Sequence, residues 1–185
     1  NAVLGFAQLL ESDQKLKGTD QAEFAGEIYQ AGSHLLKLIN DVLDLSKIES
    51  EHMEIYTEAV EFDKLLEECL TLIKPLADER HIRIEKSEGK VSFYVEADRL
   101  RLKQVLLNLL SNAVKYNTEA GSIVIEYQQT ADNRLVCSVT DTGQGMGPSE
   151  LDNLFQPFNR LSAEHSEIEG TGIGLVITRK LIELM

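Results

Sequence analysis

The sequence predicts an α+β protein in which an N-terminal helical hairpin precedes an α/β sandwich, and three observations carry that prediction. With 43% hydrophobic and 26% charged residues over 185 positions, the composition is that of a globular chain long enough to bury a core without staples. Phe24, Ile28, Ala31, Leu35, Leu38, Val42 and Leu45 recur at alternating steps of four and three, which is the heptad seam of a long helix. Beyond Phe62 the order helix, strands, helix, strands, helices lacks regular βαβ alternation. An antiparallel or mixed sheet with helices on one face satisfies it better.

Taken in order, Ala2 to Leu10 carries Val3, Leu4, Phe6, Ala7, Leu9 and Leu10 at helical spacing, and the polar stretch Glu11 to Asp20 with Gly18 closes that helix with a loop. The seamed helix follows. Leu36, Ile39 and Leu43 widen its stripe beyond what two helices can bury, so dimerisation into a four-helix bundle is expected, the alternative being a hairpin packed on the second domain. Ser46 to Glu61 turns polar and acidic and reads as a linker with a short strand at Met53 to Tyr56. The hairpin is therefore placed at residues 1–50, the linker at 51–60 and the second domain at 61–185. Phe62 to Glu79 has the spacing of an amphipathic helix, which Pro75 is expected to kink or interrupt. Ile82 with Ile84, and then Val91 to Val95, suggest strands; Asp98 is suited to cap a helix running to Tyr116. Ser122 to Tyr127 and Leu135 to Thr140 read as adjacent strands joined by the turn-like Thr130 to Arg134, and Leu175 to Leu184 as an apolar helix.

A net charge of −13 excludes the phosphate-neutralising surface on which nucleic-acid binding depends. The excess is even, with 4 basic and 11 acidic residues up to Val60 and 14 and 20 beyond it, so neither half is a charged tail. Cys69 and Cys137 are too few for a disulfide framework and wrongly spaced for zinc, and both are expected as buried thiols. The apolar run at Val105 to Leu110 is broken by Asn, nothing spans a bilayer, and no signal peptide is present. The chain opens at Asn1 in mid-helix pattern and ends at Met185 with a helical pattern still running, as a fragment would.

Three constellations carry chemistry. Asn108, Asn112, Lys115 and Tyr116 lie at steps of four, seven and eight on one helix face. Asn is a poor helix former, and two of them one turn apart among Leu and Val need a reason. An amide oxygen is a hard neutral ligand for Mg²⁺, and Lys115 can reach a phosphate; satisfaction by neighbouring backbone or water is the alternative. Asp141-Thr-Gly-Gln-Gly-Met146 follows a strand. Its carboxylate can accept from an exocyclic amine such as that of adenine, while Gly143 and Gly145 admit a flat ring, unless the segment merely turns the chain. Gly170-Thr171-Gly172-Ile173-Gly174 opens the last helix at Leu175, placing backbone N–H groups where a phosphate chain can bind. Each motif alone is weak; the three in this order are a strong joint signal. Between the glycine motifs, Asn159 to Glu169 reads as a mobile lid over the site, with Arg160 at its base facing phosphate or solvent. Phe155 and Phe158 are expected to pack the lid's root, and Glu164, Glu167 and Glu169 to face solvent.

With these motifs in place the chain resembles the catalytic core of a sensor histidine kinase of two-component signalling, of the hybrid-sensor type. Gln104 to Tyr116 is similar to the N box, Asp141 to Met146 to the G1 box, Phe155 to Phe158 to the F box, and Gly170 to Leu175 to the G2 box. Asn1 to Ser50 resembles the dimerisation and histidine-phosphotransfer hairpin. The resemblance implies a sandwich of the Bergerat type, found in the wider GHKL ATPase superfamily. It implies ATP and Mg²⁺ as cofactors: Asp141 on the adenine amine, Asn112 on the metal with Asn108 assisting, Lys115 and Tyr116 lining the nucleotide, and Gly172 and Gly174 shaping the lid hinge. Gly143, Gly145, Phe158, Arg160, Thr171, Ile173 and Leu175 complete the implied nucleotide site. The implied partners are a second copy joined through the hairpin and a response-regulator receiver domain, in a bacterial-type cytoplasm, without nucleic acid or membrane contact by this piece.

Two departures from the family qualify this. The phosphoacceptor histidine sits in a box just before the position matching Asn1, and none of His34, His52, His81 or His165 has its context; all four are expected to be solvated. At the other end, the family continues past Met185 into a final strand pair, so the sheet is expected to show an unfinished edge. The alternatives are a GHKL-type ATPase and a non-catalytic dimer scaffold that docks a receiver domain. Hydrolysing members carry a Glu base where this chain has Asn108, and an amide cannot take a proton from water.

Overall fold

In the computed structural model, which describes residues 2–14, 16–87, 93–159 and 170–185, the N-terminal apolar spacing folds as α1 (Ala2–Ser12) and α2 (Asp20–Glu49). The polar loop between them lets the helices pack antiparallel. Leu4 lies against Gly32, and the Glu11 carboxylate approaches Gly26. Ala7 and Ala25 are buried at the contact. The helices therefore meet along small residues flanking the heptad seam, and the seam itself stays largely bare: Phe24, Ile28 and Leu35 are 58%, 51% and 57% exposed. This hairpin is one compact unit, Asn1–His52, and Met53–Met185 is the other.

The second unit begins with β1 (Glu58–Glu61) and α3 (Phe62–Glu79). The strand expected at Met53 to Tyr56 thus lies five residues later, because it is Glu58–Glu61 that finds a partner: it pairs antiparallel with β3 (Tyr94–Ala97). Of the stretch expected as that second strand, residues 91 and 92 fall outside the described residues. α3 buries Phe62, Leu65, Leu66, Cys69, Ile73 and Ala77 on one face, the spacing of a single helical stripe. Pro75 does not end α3. Its ring removes one ladder N–H, and the burial of Ala77 beyond it holds the last turn in place.

Asp98 accepts from the backbone N–H groups of Leu100 (3.0 Å) and Arg101 (3.1 Å) and so starts α4 (Arg99–Lys115), as the capping chemistry predicts. A three-stranded mixed sheet of β2 (Arg83–Lys86), β4 (Ser122–Gln129) and β5 (Leu135–Asp141) completes the β structure. β2 runs parallel to β4, which requires the crossover through β3 and α4, while β4 and β5 form an antiparallel hairpin. Among the described residues the β strands fall into two sheets, β1–β3 and β2–β4–β5. α5 (Pro148–Asn153) and α6 (Gly174–Leu184) follow.

The core lies between α3, α4 and β4, where Leu66, Leu110, Ile123 and Ile125 are fully buried. Tyr127 closes one end, its ring 5.3 Å from Phe62 and 6.0 Å from Phe93. Its hydroxyl donates to the Asp63 carboxylate, and burial together with that bond raises its pKa to about 12. Cys69 is buried as expected, but Cys137 is only half-buried, because β5 covers the core from an edge position. Burial raises both thiols to about 11, so neither is a ready nucleophile.

Candidate functional site

α4 supplies the scaffold of the site, because its buried face is held by the core while Asn108, Asn112 and Lys115 remain half-buried on another face. Each glycine motif approaches that face closely. A Cβ on Gly174 would collide with the Asn108 side chain; one on Gly143 would strike the Tyr116 carbonyl; one on Gly170 would lie 3.3 Å from Lys115 Nζ and 3.5 Å from the Tyr116 hydroxyl. Glycine at positions 143 and 174 is therefore a condition for both motifs to meet α4. The motifs that lie up to 66 residues apart in sequence, from Asn108 to Gly174, converge on one surface.

The two asparagines differ in role. Asn108 Nδ2 donates to Thr178 Oγ1 at 2.8 Å, tying α4 to α6 and committing half of that amide. No hydrogen bond engages the Asn112 side chain among the described residues. A half-buried amide oxygen without a protein partner has the character needed of a metal ligand. Among the described residues no cluster of three or more His, Cys, Asp or Glu could hold a metal ion.

Asp141 stands at the exposed end of β5, and its Oδ1 accepts from the Gly143 N–H at 2.8 Å. Among the described residues its second oxygen accepts no hydrogen bond. Gly145 takes a φ of +68° in open space. At the other glycine motif, Gly172 also has a φ of +68° and packs on the Phe158 and Asn159 backbone, with Phe158 donating its N–H to the Gly172 carbonyl at 3.1 Å. Thr171 Oγ1 accepts from the Ile173 N–H at 3.2 Å. The Ile173 side chain is fully buried, so only its backbone faces the site; Leu175 is half-buried in the first turn of α6. The leading N–H groups of α6 have no partner within the helix and form an anion-favouring end.

Phe155 and Phe158 do not pack as core residues. They are 42% and 62% exposed; the Phe155 ring is covered instead by the Arg179 guanidinium, 5.1 Å from its centroid, and Phe158 is turned outward by a φ of +64°. Arg160 and the stretch expected as the lid, with His165, Glu164, Glu167 and Glu169, lie outside the described residues from residue 160 to 169. Of the other histidines, His52 and His81 are exposed as expected. His34 is half-buried with an interaction of its own, so it is not simply solvated.

Sequence reasoning missed four residues that hold the site together: Arg80, Asn117, Thr142 and Thr178. Arg80 donates to the carbonyls of Val114, Lys115 and Asn117 and so covers the C-terminal carbonyls of α4. Asn117 is 6% exposed and bonded to Thr142, Ser122 and Thr118. Arg80, Asn117 and Thr142 are polar residues at element junctions, and that position was their sign; Thr178 lies inside α6, where only a polar residue on the buried face marks it.

The chain is similar to known proteins along nearly its whole length. Residues 97–185 match the family of histidine kinase-, DNA gyrase B- and HSP90-like ATPases, and residues 1–51 match the His Kinase A (phospho-acceptor) domain. The non-motile and phage-resistance protein of Caulobacter vibrioides is 35% identical over 195 residues, covering 100% of this chain and 22% of that protein. The cell-division control histidine kinase PdhS of Brucella suis is 34% identical, covering 99% of this chain and 19% of its own length. The chain thus spans about a fifth of the length of these curated relatives. Full-length ShkA, solved in complex with AMPPNP, superposes with a TM-score of 0.79 at 32% identity, covering 99% of this chain and 37% of that one.

Proposed function

Since the chain belongs to the sensor histidine kinases, as their catalytic core, we propose that it binds Mg·ATP on the face of α4. From there the γ-phosphoryl passes to a protein histidine other than the four in this chain, and onward to an aspartate of a response-regulator receiver domain. One observation carries this reading: both glycine motifs seat directly on the helix bearing Asn108, Asn112, Lys115 and Tyr116, Gly143 and Gly174 each closer than a side chain would allow.

The proposed roles follow from the chemistry of each group. The Asp141 oxygen left unbonded by the turn accepts from the exocyclic amine of the base, and the Gly143–Gly145 segment lies flat beneath the ring. Lys115 Nζ, beside Gly170, meets the phosphates as a point charge, and the N–H groups opening α6 add a second, neutral source of positive potential. Asn112 would hold the metal, and Mg²⁺, when bound, would neutralise the charge that builds on the transferred group. Catalysis in such a site is positioning and electrostatic stabilisation, without covalent chemistry by the nucleotide-binding unit. Asn108 cannot act as a base towards water, and its hydrogen bond to Thr178 assigns it to holding α6, which favours transfer over hydrolysis.

The hairpin is proposed to join two copies. The bare seam of α2 continues into the exposed Val3, Phe6 and Leu9 of α1, and an apolar surface of that extent is covered when two hairpins form a four-helix bundle.

Calorimetric titration of AMPPNP, with Mg²⁺ and then with EDTA, tests the nucleotide site. Metal-dependent binding is expected, and Asp141→Ala should weaken it about ten- to a hundredfold, the loss of a hydrogen bond to a charged group worth roughly 1.5 to 3 kcal/mol. Equal affinity in wild type and variant, or no binding by folded protein, would overturn the reading.

A further inference from the structure

Thr142, next to the base-reading carboxylate, has every backbone and side-chain polar group engaged. Its N–H donates to the Ser122 carbonyl at 3.2 Å, its carbonyl accepts from Thr118 Oγ1 at 3.3 Å, and its hydroxyl accepts from the Ser122 N–H at 2.8 Å while donating to Asn117 Oδ1 at 2.9 Å. The same Asn117 amide donates to the Ser122 carbonyl at 3.1 Å and accepts from the Thr118 N–H at 2.9 Å. Asn117 is buried to 6% exposure, and its carbonyl is held by Arg80 at 3.0 Å. Gly121 completes the joint, since a Cβ there would collide with Asn117 Oδ1 and lie 2.6 Å from Thr142 Oγ1. The end of α4, the start of β4 and the end of β5 are thus locked at one point, one residue from Asp141.

We infer that Asn117 and Thr142 are positioning residues for Asp141, and that their hydrogen bond sets how strongly the site prefers a base bearing an exocyclic amine. A hydrogen bond that reads such a base must be aimed, and its worth falls steeply once donor and acceptor are misaligned. β5 ends at Asp141, so no further strand pairing fixes the carboxylate. Asp141 itself pairs with Ile123, and beyond it the bonds of Thr142 and the Gly143 turn hold the carboxylate among the described residues. The inference rests on the reading of Asp141 as the base-amine acceptor.

The test titrates AMPPNP and its inosine counterpart, which carries a carbonyl in place of the amine, into the whole chain in the presence of Mg²⁺. The proteins compared are wild type, Thr142→Val, Thr142→Ser, Asp141→Ala and the Asp141→Ala/Thr142→Val double variant, each checked for folding by thermal unfolding. Thr142→Val keeps the side-chain shape and removes the hydroxyl at an exposed position; Thr142→Ala gives the same comparison should Val perturb the fold. Thr142→Val is expected to weaken AMPPNP binding about five- to tenfold and to leave the inosine analogue within about twofold. Thr142→Ser should restore wild-type affinity, and the double variant should bind as Asp141→Ala alone, because two residues acting through one contact are not additive. Equal losses for both nucleotides, or an undiminished effect in the Asp141→Ala background, would reduce Thr142 to a structural residue and overturn the inference. If wild type binds, Asp141→Ala weakens it and Thr142→Val is silent, only this inference fails. If folded wild type binds neither nucleotide, the nucleotide site itself fails and takes this inference with it.

Discussion

Asp98 acts at two places with one carboxylate: Oδ1 caps α4, and Oδ2 accepts from the Tyr56 N–H at 3.2 Å. Burial opposes its charge, but the bonds from Arg101, Tyr56 and Leu100 outweigh that and hold its pKa below the usual carboxylate range. A lowered pKa means the stabilisation is present above the unfolded-state value and is lost as pH falls through the folded-state value. Asp98→Ala should therefore cost about 1 kcal/mol in urea unfolding at neutral pH. The gap to wild type should close once the pH falls below the folded-state value, where the carboxyl is protonated in both states; a gap independent of pH would show that charge plays no part in the cap. The two site asparagines show how far residue identity alone goes. Both were legible as anomalies on an apolar helix, yet only the placement of Thr178 tells that Asn108 is bound to α6 and Asn112 is not.

At the scale of elements, the glycine motif before α6 is a turn that no other residue can make. Gly172 combines a φ of +68° with backbone contact: a Cβ there would lie 2.9 Å from the Phe158 carbonyl carbon. Gly172→Ala is expected to cost about 1 kcal/mol in backbone conformation alone, with the steric clash in addition, and to move the start of α6. AMPPNP affinity should fall at least about fivefold while the helical content of the folded variant stays near wild type. Unchanged affinity would mean that the start of α6 does not contact the nucleotide. The strands tell a related story. β4 and β5 were legible because Ser122–Gln129 and Leu135–Asp141 alternate on either side of a recognisable turn. β1 was displaced from its expected place, because acidic Glu58–Glu61 shows little alternation and becomes a strand only through pairing with β3.

At the scale of the whole molecule, the hairpin and the nucleotide unit present opposite situations. The second unit buries its apolar faces internally, around Leu66, Leu110 and Ile125, whereas the first leaves Phe24, Ile28 and Leu35 in solvent. Sedimentation of the wild-type chain should show a dimer, and the pair Phe24→Asp and Leu35→Asp should reduce it to monomer by burying like charges across the two-fold axis. A wild-type monomer at every concentration would refute the four-helix bundle. Local patterning sufficed for α1 to α4, α6 and the β4–β5 hairpin, since helical periodicity and strand alternation are properties of neighbouring residues. It also sufficed to separate a bare seam from a buried core, because the seam is too wide for two helices. The folded chain alone decided which residues hold the site together. Arg80, Asn117, Thr142 and Thr178 meet partners across 5 to 70 positions of sequence, and a polar side chain carries no local mark of the distant carbonyl or hydroxyl that will satisfy it. It decided, too, that Phe155 and Phe158 turn outward, because exposure is set by what packs alongside and hydrophobicity cannot specify that by itself.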